Sequence, residues 1–177
     1  MLDQHYTSTL RKLLKTYAST PRSFVYFMCG SLPATAFLHL RQLTLFNMIC
    51  NIPNDPHYKR AHQALTCSKP SSKSWFASLR SICLQYGLPH PLTLLDNPMP
   101  KKAFKKLTKS KVVDYWEDKL RSETVILPSL LYFYPNYHSL VYPHPTLSTP
   151  GSNPHEVSKA VIQCQMKSGR YRTALLS

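Results

Sequence analysis

The sequence predicts an all-α protein: an irregular bundle of six to seven helices with one long extended crossing segment rich in proline and tyrosine. Apolar residues recur three and four positions apart over most of the chain, which is the spacing of one face of an α-helix. Glycine is scarce, with 4 residues against 15 prolines. Several prolines follow a capping side chain and suit a first helical turn. These pairs are Thr20-Pro21, Asp55-Pro56 and Asn153-Pro154.

Seven segments fit this helical pattern, and Pro33 and Pro100 are expected to open two of them. The segments are residues 2–17, 21–30, 33–50, 56–65, 71–87, 100–121 and 154–168. The segment 33–50 is apolar nearly all round, so we expect it to be the central core helix. The segment 71–87 offers a serine cap near its start and Gly87 as its stop. Asn153 and Glu156 form a capping-box arrangement at the start of the last segment.

Between residues 124 and 152 the helical period disappears. The stretch "VILPSLLYFYPNYHSLVYPHPTLSTPG" is aromatic and interrupted by prolines. We expect extended chain here, lying across the helices, with at most a short edge strand. We divide the chain into a helical subdomain at residues 1–66 and a basic helical region at residues 67–177 that contains this segment.

The charge of the chain indicates a polyanionic partner. Lys and Arg number 22 against 8 acidic residues, for a net charge of +14. Such an excess costs self-repulsion in a compact state and is usually tolerated for binding to a polyanion. Nucleic acid is the leading candidate, and an anionic membrane surface is the second. We expect no membrane span, because the most apolar window, "SFVYFMCGSLPATAFLHL", is broken by Gly30, Ser31, Pro33 and His39.

The cysteines predict a reducing compartment. Their number is odd and they form no C-x-x-C pair, so reduced thiols in the cytoplasm or nucleus are expected. They are Cys29, Cys50, Cys67, Cys83 and Cys164. The last four fall on apolar stripes, which favours buried core thiols over zinc ligands.

No set of catalytic groups is recognisable. The eight acidic residues are scattered, and Asp114, Glu117 and Asp118 share one lysine-rich helix, which favours intrahelical pairing over a metal site. No glycine-rich phosphate loop and no nucleophile motif is present. We therefore predict no enzymatic activity of the chain itself, no cofactor and no metal site.

The sharpest signal is the basic stretch "PKKAFKKLTKSKVVDYWEDKLR". Its lysines cluster on one arc of the predicted helix, opposite Phe104 and Leu107, with a spacing suited to phosphates. These are Lys101, Lys102, Lys105, Lys106 and Lys109, which we call the lysine row. The alternative is an ordinary solvated helix face. Lys111 falls in the apolar stripe, so either the helix bends near Ser110 or its two halves meet different neighbours.

Two further groups leave alternatives open. Arg170 and Arg172 lie just past a helix end, where they would either bond free carbonyls or clamp a phosphate. The aromatic residues of the extended segment would either stack on bases or hold the segment against the helices. They are Tyr132, Phe133, Tyr134, Tyr137 and Tyr142.

Several stretches taken in order resemble one family. They are "LDQHYTSTLRKLL", "TPRSFVYFMCGSLPATAFLHLRQLTLFNMI", "SWFASLRSICLQYGLPHPL", "KKLTKSKVVDYWEDKL", "GSNPHEVSKAVIQCQM" and "SGRYRT". In this order they resemble the region after the polymerase core in reverse transcriptases of non-LTR (LINE-type) retrotransposons. The resemblance extends over essentially the whole chain.

The resemblance implies a role without catalysis. The fingers and palm of that family carry a catalytic aspartate pair, and nothing in this chain matches it. Residues 2 to about 50 resemble the helical thumb that holds the template–primer duplex, and the later part resembles the linker before a Cys/His zinc knuckle. We expect the chain to be a piece truncated at both ends.

Two hypotheses from different classes follow. In the first, the chain is the thumb and post-thumb part of an RNA-directed DNA polymerase. It would hold template RNA or an RNA–DNA duplex through its phosphates, and the missing polymerase core or another protein would be a further partner. In the second, it is a stand-alone helical interaction module or a decayed, non-functional retroelement copy. The apolar faces of the helix at 33–50 would then bind a protein partner.

Overall fold

The computed structural model describes residues 1–52, 55–67, 69, 73–125, 140–148 and 154–167. Within these ranges the protein has helices and no strand, which confirms the all-α class. The helices are α1 (Leu2–Leu13), α2 (Arg22–Cys29), α3 (Ala34–Cys50), α4 (Pro56–Cys67), α5 (Trp75–Gln85), α6 (Pro91–Asp96), α7 (Lys101–Val125), α8 (Pro145–Ser148) and α9 (Pro154–Lys167). The described ranges thus hold nine helices rather than six to seven. The two additional ones, α6 and α8, are too short for an apolar period to show in the sequence.

The helix starts follow the prolines as predicted, but the predicted cap Thr20 makes no hydrogen bond to the first turn of α2, whose N-cap is Pro21. Five helices begin at a predicted proline or one residue after it: α2, α3, α4, α7 and α9. Ser74 caps α5, because its Oγ accepts the Ala77 N–H at 3.1 Å. The chain leaves α5 through Gly87, whose φ of 59° is left-handed. The capping box predicted at Asn153 lies outside the described residues.

The chain forms two compact units. The first unit is Met1–Thr35 together with Trp116–Ser177, and the second unit is Ala36–Tyr115. These boundaries differ from the predicted division between residues 66 and 67, which falls within the second unit.

The first unit is built on the packing of α1 against α2. The rings of Tyr6 and Tyr26 stack with centroids 6.2 Å apart. The carboxylate of Asp3 accepts the Thr35 N–H at 2.9 Å and its hydroxyl at 2.6 Å. Every residue of α2 from Ser23 to Met28 is buried. The helix predicted to reach Tyr17 ends at Leu13, since the chain turns at Lys15 with a φ of 49°.

The second unit packs α4, α5 and α6 against one another. The Tyr58 hydroxyl of α4 donates to the Leu95 carbonyl of α6 at 3.3 Å. Phe46 of α3 lies 6.5 Å from the ring of Trp75 at the start of α5. His39 Nδ1 lies 2.7 Å from the buried hydroxyl of Tyr86.

Helix α3 is not the fully buried core helix that its composition predicts. One side is buried, and it consists of Ala36, Leu43, Phe46, Asn47 and Cys50. The apolar residues on the other side are about half exposed: Phe37 at 44%, Leu38 at 49%, Leu45 at 51% and Met48 at 48%. Hydrophobic content therefore overestimated the burial of this helix, because it has two apolar sides and only one of them is fully buried in the part of the chain that the structure describes.

The extended segment predicted at residues 124–152 is partly helical. Residues 124–125 belong to the last turn of α7, and Pro145–Ser148 form α8. The helix predicted to end at Arg121 therefore continues to Val125. Residues 126–139 and 149–152 lie outside the described residues, so the prediction for them stays a prediction.

The most apolar stretch of the chain forms two helices, as predicted. Helix α2 ends at Cys29, Gly30 adopts a left-handed φ of 57°, and α3 begins at Ala34. Over the ranges that the structure describes, no single helix has the length and apolar character to cross a membrane. Helices α2 and α3 meet those criteria only as a bent pair, by length and composition.

Candidate nucleic-acid interface

The lysine row lies on the first two and a half turns of α7, and all five of its side chains are exposed. Lysine dominates these turns and is a good helix former, as are Ala103 and Leu107, so the local sequence favours the helix. At 3.6 residues per turn the five positions fall within an arc of about 140° and a length of about 12 Å. No acidic residue occurs between positions 101 and 113.

The buried stripe of α7 explains how this helix is anchored. It runs through every fourth residue: Phe104, Thr108, Val112, Trp116 and Leu120. Thr108 fits among apolar neighbours because its hydroxyl donates to the Phe104 carbonyl at 2.9 Å. Lys111 is exposed, so its predicted place in the apolar stripe is wrong, and Thr108 and Val112 occupy that stripe instead.

Because the buried residues of α7 are four positions apart, the buried stripe winds around the helix. Because four residues advance by more than one turn, the buried side rotates by about 160° between Phe104 and Leu120. Helix α7 runs without interruption through Ser110. The two halves therefore bury different sides of one continuous helix, which agrees with the second of the two predicted explanations.

The two halves also differ in charge. In the second half, Glu117 accepts the Leu140 N–H at 2.9 Å and lies 3.8 Å from the Arg121 guanidinium. Glu123 binds Arg22, whose Nε donates to Oε2 at 2.8 Å. This hydrogen bond raises the pKa of Arg22 above its ordinary value. These carboxylates are thus committed to contacts within the first unit.

The first half of α7 has no such compensation. Within the described part of the chain, no lysine of the row makes an ion pair. Lys101 and Lys102 also occupy the first turn, where the helix dipole is positive and cations are unfavourable. The row carries five positive charges over a length of about 12 Å. This charge density approaches that of a nucleic-acid duplex, which carries one negative phosphate per about 1.7 Å of its axis. This arrangement suits a ligand that supplies several anionic groups in line.

The second unit carries most of the net charge. It contains 12 Lys and Arg against 3 Asp, a net charge of +9 out of the +14 of the whole chain. Six of the 12 basic residues are the lysine row and Lys111. The exposed Lys111, which the spacing had placed in the apolar stripe, adds a further cation to the basic part of α7.

The other predicted binding groups are described only in part. Arg170, Arg172 and four of the five aromatic residues lie outside the described residues, so nothing places them near the lysine row. Tyr142 is described, and its side chain is 74% exposed. Its backbone, rather than its ring, packs against Gly30 at the end of α2, so the ring does not hold this part of the chain in place.

The thiols are mostly buried. Cys50, Cys83 and Cys164 are buried, as predicted. Cys67 is exposed, against the prediction, because it lies about 200° around α4 from the buried Leu65. Burial raises the pKa of Cys50 and Cys83 to about 12. In the described ranges no three His, Cys, Asp or Glu side chains are grouped so as to hold a metal ion.

Comparison of the chain with protein-family models, with curated proteins and with solved structures finds no significant match.

Proposed function

We propose that the lysine row of α7 binds the phosphate backbone of a nucleic acid, with little regard to base sequence. The observation that carries this proposal is the combination of five exposed lysines on one arc with the absence of acidic residues from positions 101 to 113. Lysines bind phosphates as point charges and release condensed counterions, a contribution that does not depend on sequence.

The resemblance to the thumb and post-thumb region of non-LTR reverse transcriptases supports a more specific ligand. We propose template RNA or an RNA–DNA duplex, held without any catalytic step by this chain. Arg170 and Arg172 are proposed as supporting phosphate contacts. The cytoplasm or the nucleus is the proposed site of action, since both contain such ligands.

The proposal is tested by fluorescence anisotropy with a labelled 20-base-pair RNA–DNA duplex at 100 mM salt. The triple variant K101Q/K105Q/K109Q removes three charges from the row. The matched control K12Q/K59Q/K159Q removes three exposed lysines elsewhere. We expect the row variant to lose about 100-fold in affinity and the control to lose no more than about threefold.

Circular dichroism melts of all three proteins exclude loss of folding as the cause of a weaker affinity. Two duplexes of unrelated sequence should bind with affinities within about threefold of each other. Equal losses in the two triple variants would show that only net charge matters and would refute the row as a site. Absence of binding by the unaltered chain would refute the proposed function altogether.

A second candidate function is a helical protein-interaction module. The observation that favours it is the exposed apolar side of α3, where Leu38, Leu45 and Met48 are about half exposed. Contiguous exposed apolar surface marks interaction sites in soluble proteins. Nucleic-acid binding through α7 and protein binding through α3 are compatible, because they use different residues.

A further inference from the structure

The exposed side of α3 has the spacing of a helix-packing seam. We call this side the outer face, and it consists of Phe37, Leu38, Arg41, Thr44, Leu45 and Met48. Phe37, Arg41, Thr44 and Met48 follow one another at intervals of four, three and four residues. Leu38 and Leu45 flank them one seven-residue repeat apart. Intervals of three and four residues are those at which one α-helix packs along another.

The outer face is distinct from the side that α3 buries. At 100° per residue its centre lies about 160° from the centre of the buried side, which holds Leu43, Phe46 and Cys50. A surface cleft follows the outer face and is lined by residues of this helix alone among those described. They are Phe37, Leu40, Arg41, Thr44, Leu45 and Met48. Helix α3 is therefore apolar on two opposite sides, and Leu38, Leu45 and Met48 of the second side are about half exposed.

Arg41 determines what kind of ligand fits. It is exposed in the middle of the outer face, and it makes no ion pair or hydrogen bond within the ranges that the structure describes. A helix that covered the outer face would remove the guanidinium from water. Burying an unpaired charge is strongly unfavourable, so the ligand must bring a carboxylate opposite Arg41.

The net charge of the second unit supports the same conclusion. A partner approaching this unit meets a net charge of +9, which attracts an acidic ligand and repels a basic one. A second copy of the chain is disfavoured on two grounds. It carries the same excess of positive charge, and α3 contains no acidic residue that would pair with Arg41.

We propose that the outer face of α3 binds an amphipathic helix of another protein, about three turns long, with an acidic residue at the centre of its apolar stripe. The apolar side chains of that helix pack against Leu38, Leu45 and Met48, and its carboxylate accepts hydrogen bonds from Arg41. This mode is the docking of an amphipathic helix on an apolar face, with anchors three and four residues apart. It rests on the second candidate function, protein binding through α3, for which it names the class of ligand, and it does not depend on nucleic-acid binding.

The test uses the full chain and two designed 21-residue helical peptides with leucine at the seam positions. The peptides differ only at the central seam position, which is Glu in one and Lys in the other. We expect the Glu peptide to bind at least about tenfold more tightly in fluorescence anisotropy, since a close charge pair at an interface contributes that much or more. Substitution L45D should abolish the binding of both peptides.

Charge reversal separates the proposed pairing from general attraction. R41E should reverse the preference, so that the Lys peptide binds more tightly than the Glu peptide. The control K59E makes the same change of charge at an exposed position of α4 and should keep the original preference. The variant K101Q/K105Q/K109Q should also keep the preference for the Glu peptide. The result for α3 is then independent of nucleic-acid binding by the lysine row.

The outcomes that refute the proposal are specific. An acidic amphipathic helix is not the ligand of the outer face if neither peptide binds, if both peptides bind equally, or if R41E and K59E have the same effect on the preference. If sedimentation shows a dimer that L45D dissociates, the outer face binds a second copy and the proposal fails. Circular dichroism of R41E and L45D verifies that these exposed positions leave the fold intact.

Discussion

Gly30 and Tyr142 approach each other so closely that a Cβ atom on Gly30 would overlap the Tyr142 carbonyl group. The approach is reinforced by the His144 N–H, which donates to the Met28 carbonyl at 3.0 Å. Gly30 also has a φ of 57°, a left-handed conformation that costs other residues about 1–2 kcal/mol. The end of α2 is thus the place where residues 142–144 join the first unit.

We predict that Gly30→Ala destabilises the protein by about 3 kcal/mol in urea unfolding, through backbone strain and displacement of residues 142–144. Gly87→Ala is the matched control. It has nearly the same φ, 59°, but no atom lies within 4 Å of its added Cβ. It should cost only the strain, about 1 kcal/mol. Equal losses in the two variants would contradict the close packing at Gly30.

A second prediction concerns the buried hydrogen bond between Thr7 and Tyr26, at 2.8 Å. The Thr7 hydroxyl donates its single hydrogen to the Asp3 carbonyl at 2.6 Å, so Tyr26 is the donor to Thr7. Thr7→Val leaves the buried Tyr26 hydroxyl without an acceptor and should cost about 2 kcal/mol. Thr9→Val, an exposed threonine that bonds the His5 carbonyl on the same helix, should cost less than about 0.5 kcal/mol.

The double variant T7V/Y26F extends this test. Because it removes both partners, its loss of unfolding free energy should be smaller than the sum of the losses of the two single variants. An additive result would mean that the two hydroxyls do not interact.

The salt dependence of binding provides a third prediction. If the lysine row contacts five phosphates of a duplex, the logarithm of the affinity should fall with the logarithm of salt concentration with a slope of about −4.5. Affinity should then decrease about 500-fold between 50 and 200 mM salt. The K101Q/K105Q/K109Q variant should have a slope of about −1.8, and K12Q/K59Q/K159Q should keep that of the unaltered chain. A slope near zero would be incompatible with phosphate binding.

A fourth prediction concerns the thiols. Burial raises the pKa of Cys29 and Cys164 to about 11, and that of Cys50 and Cys83 to about 12. At pH 8 a thiol with a pKa of 12 is ionised in about one molecule in 10,000, and the thiolate is the reactive form. Iodoacetamide should therefore modify only the exposed Cys67 in the folded protein, and all five cysteines in urea, as counted by mass spectrometry.

C67S is the control for this experiment, and its folded form should take up almost no label. Rapid modification of a second cysteine in the folded protein would show that the partly buried Cys29 or one of the three buried thiols is accessible to solvent.

The sequence by itself determined the class of the fold and the helix starts. Proline acts on the residues next to it, so the starts of α2, α3, α4, α7 and α9 could be predicted from single positions. The exposure of the lysine row could be predicted as well, because five cations within nine residues are too costly to bury and therefore lie in solvent. Helices α6 and α8 were missed because a segment of four to six residues is too short to show the helical spacing of apolar residues.

Only the tertiary structure decided which sides of the helices are buried. Leucine and phenylalanine occur on both sides of α3, so its hydrophobicity alone could not show that the outer face remains half exposed. On α7, Thr108 lies in the buried stripe because the carbonyls of its own helix satisfy its hydroxyl, while Lys111 is exposed. Burial depends on which elements pack against a helix, and contacts between residues far apart in the sequence determine that packing.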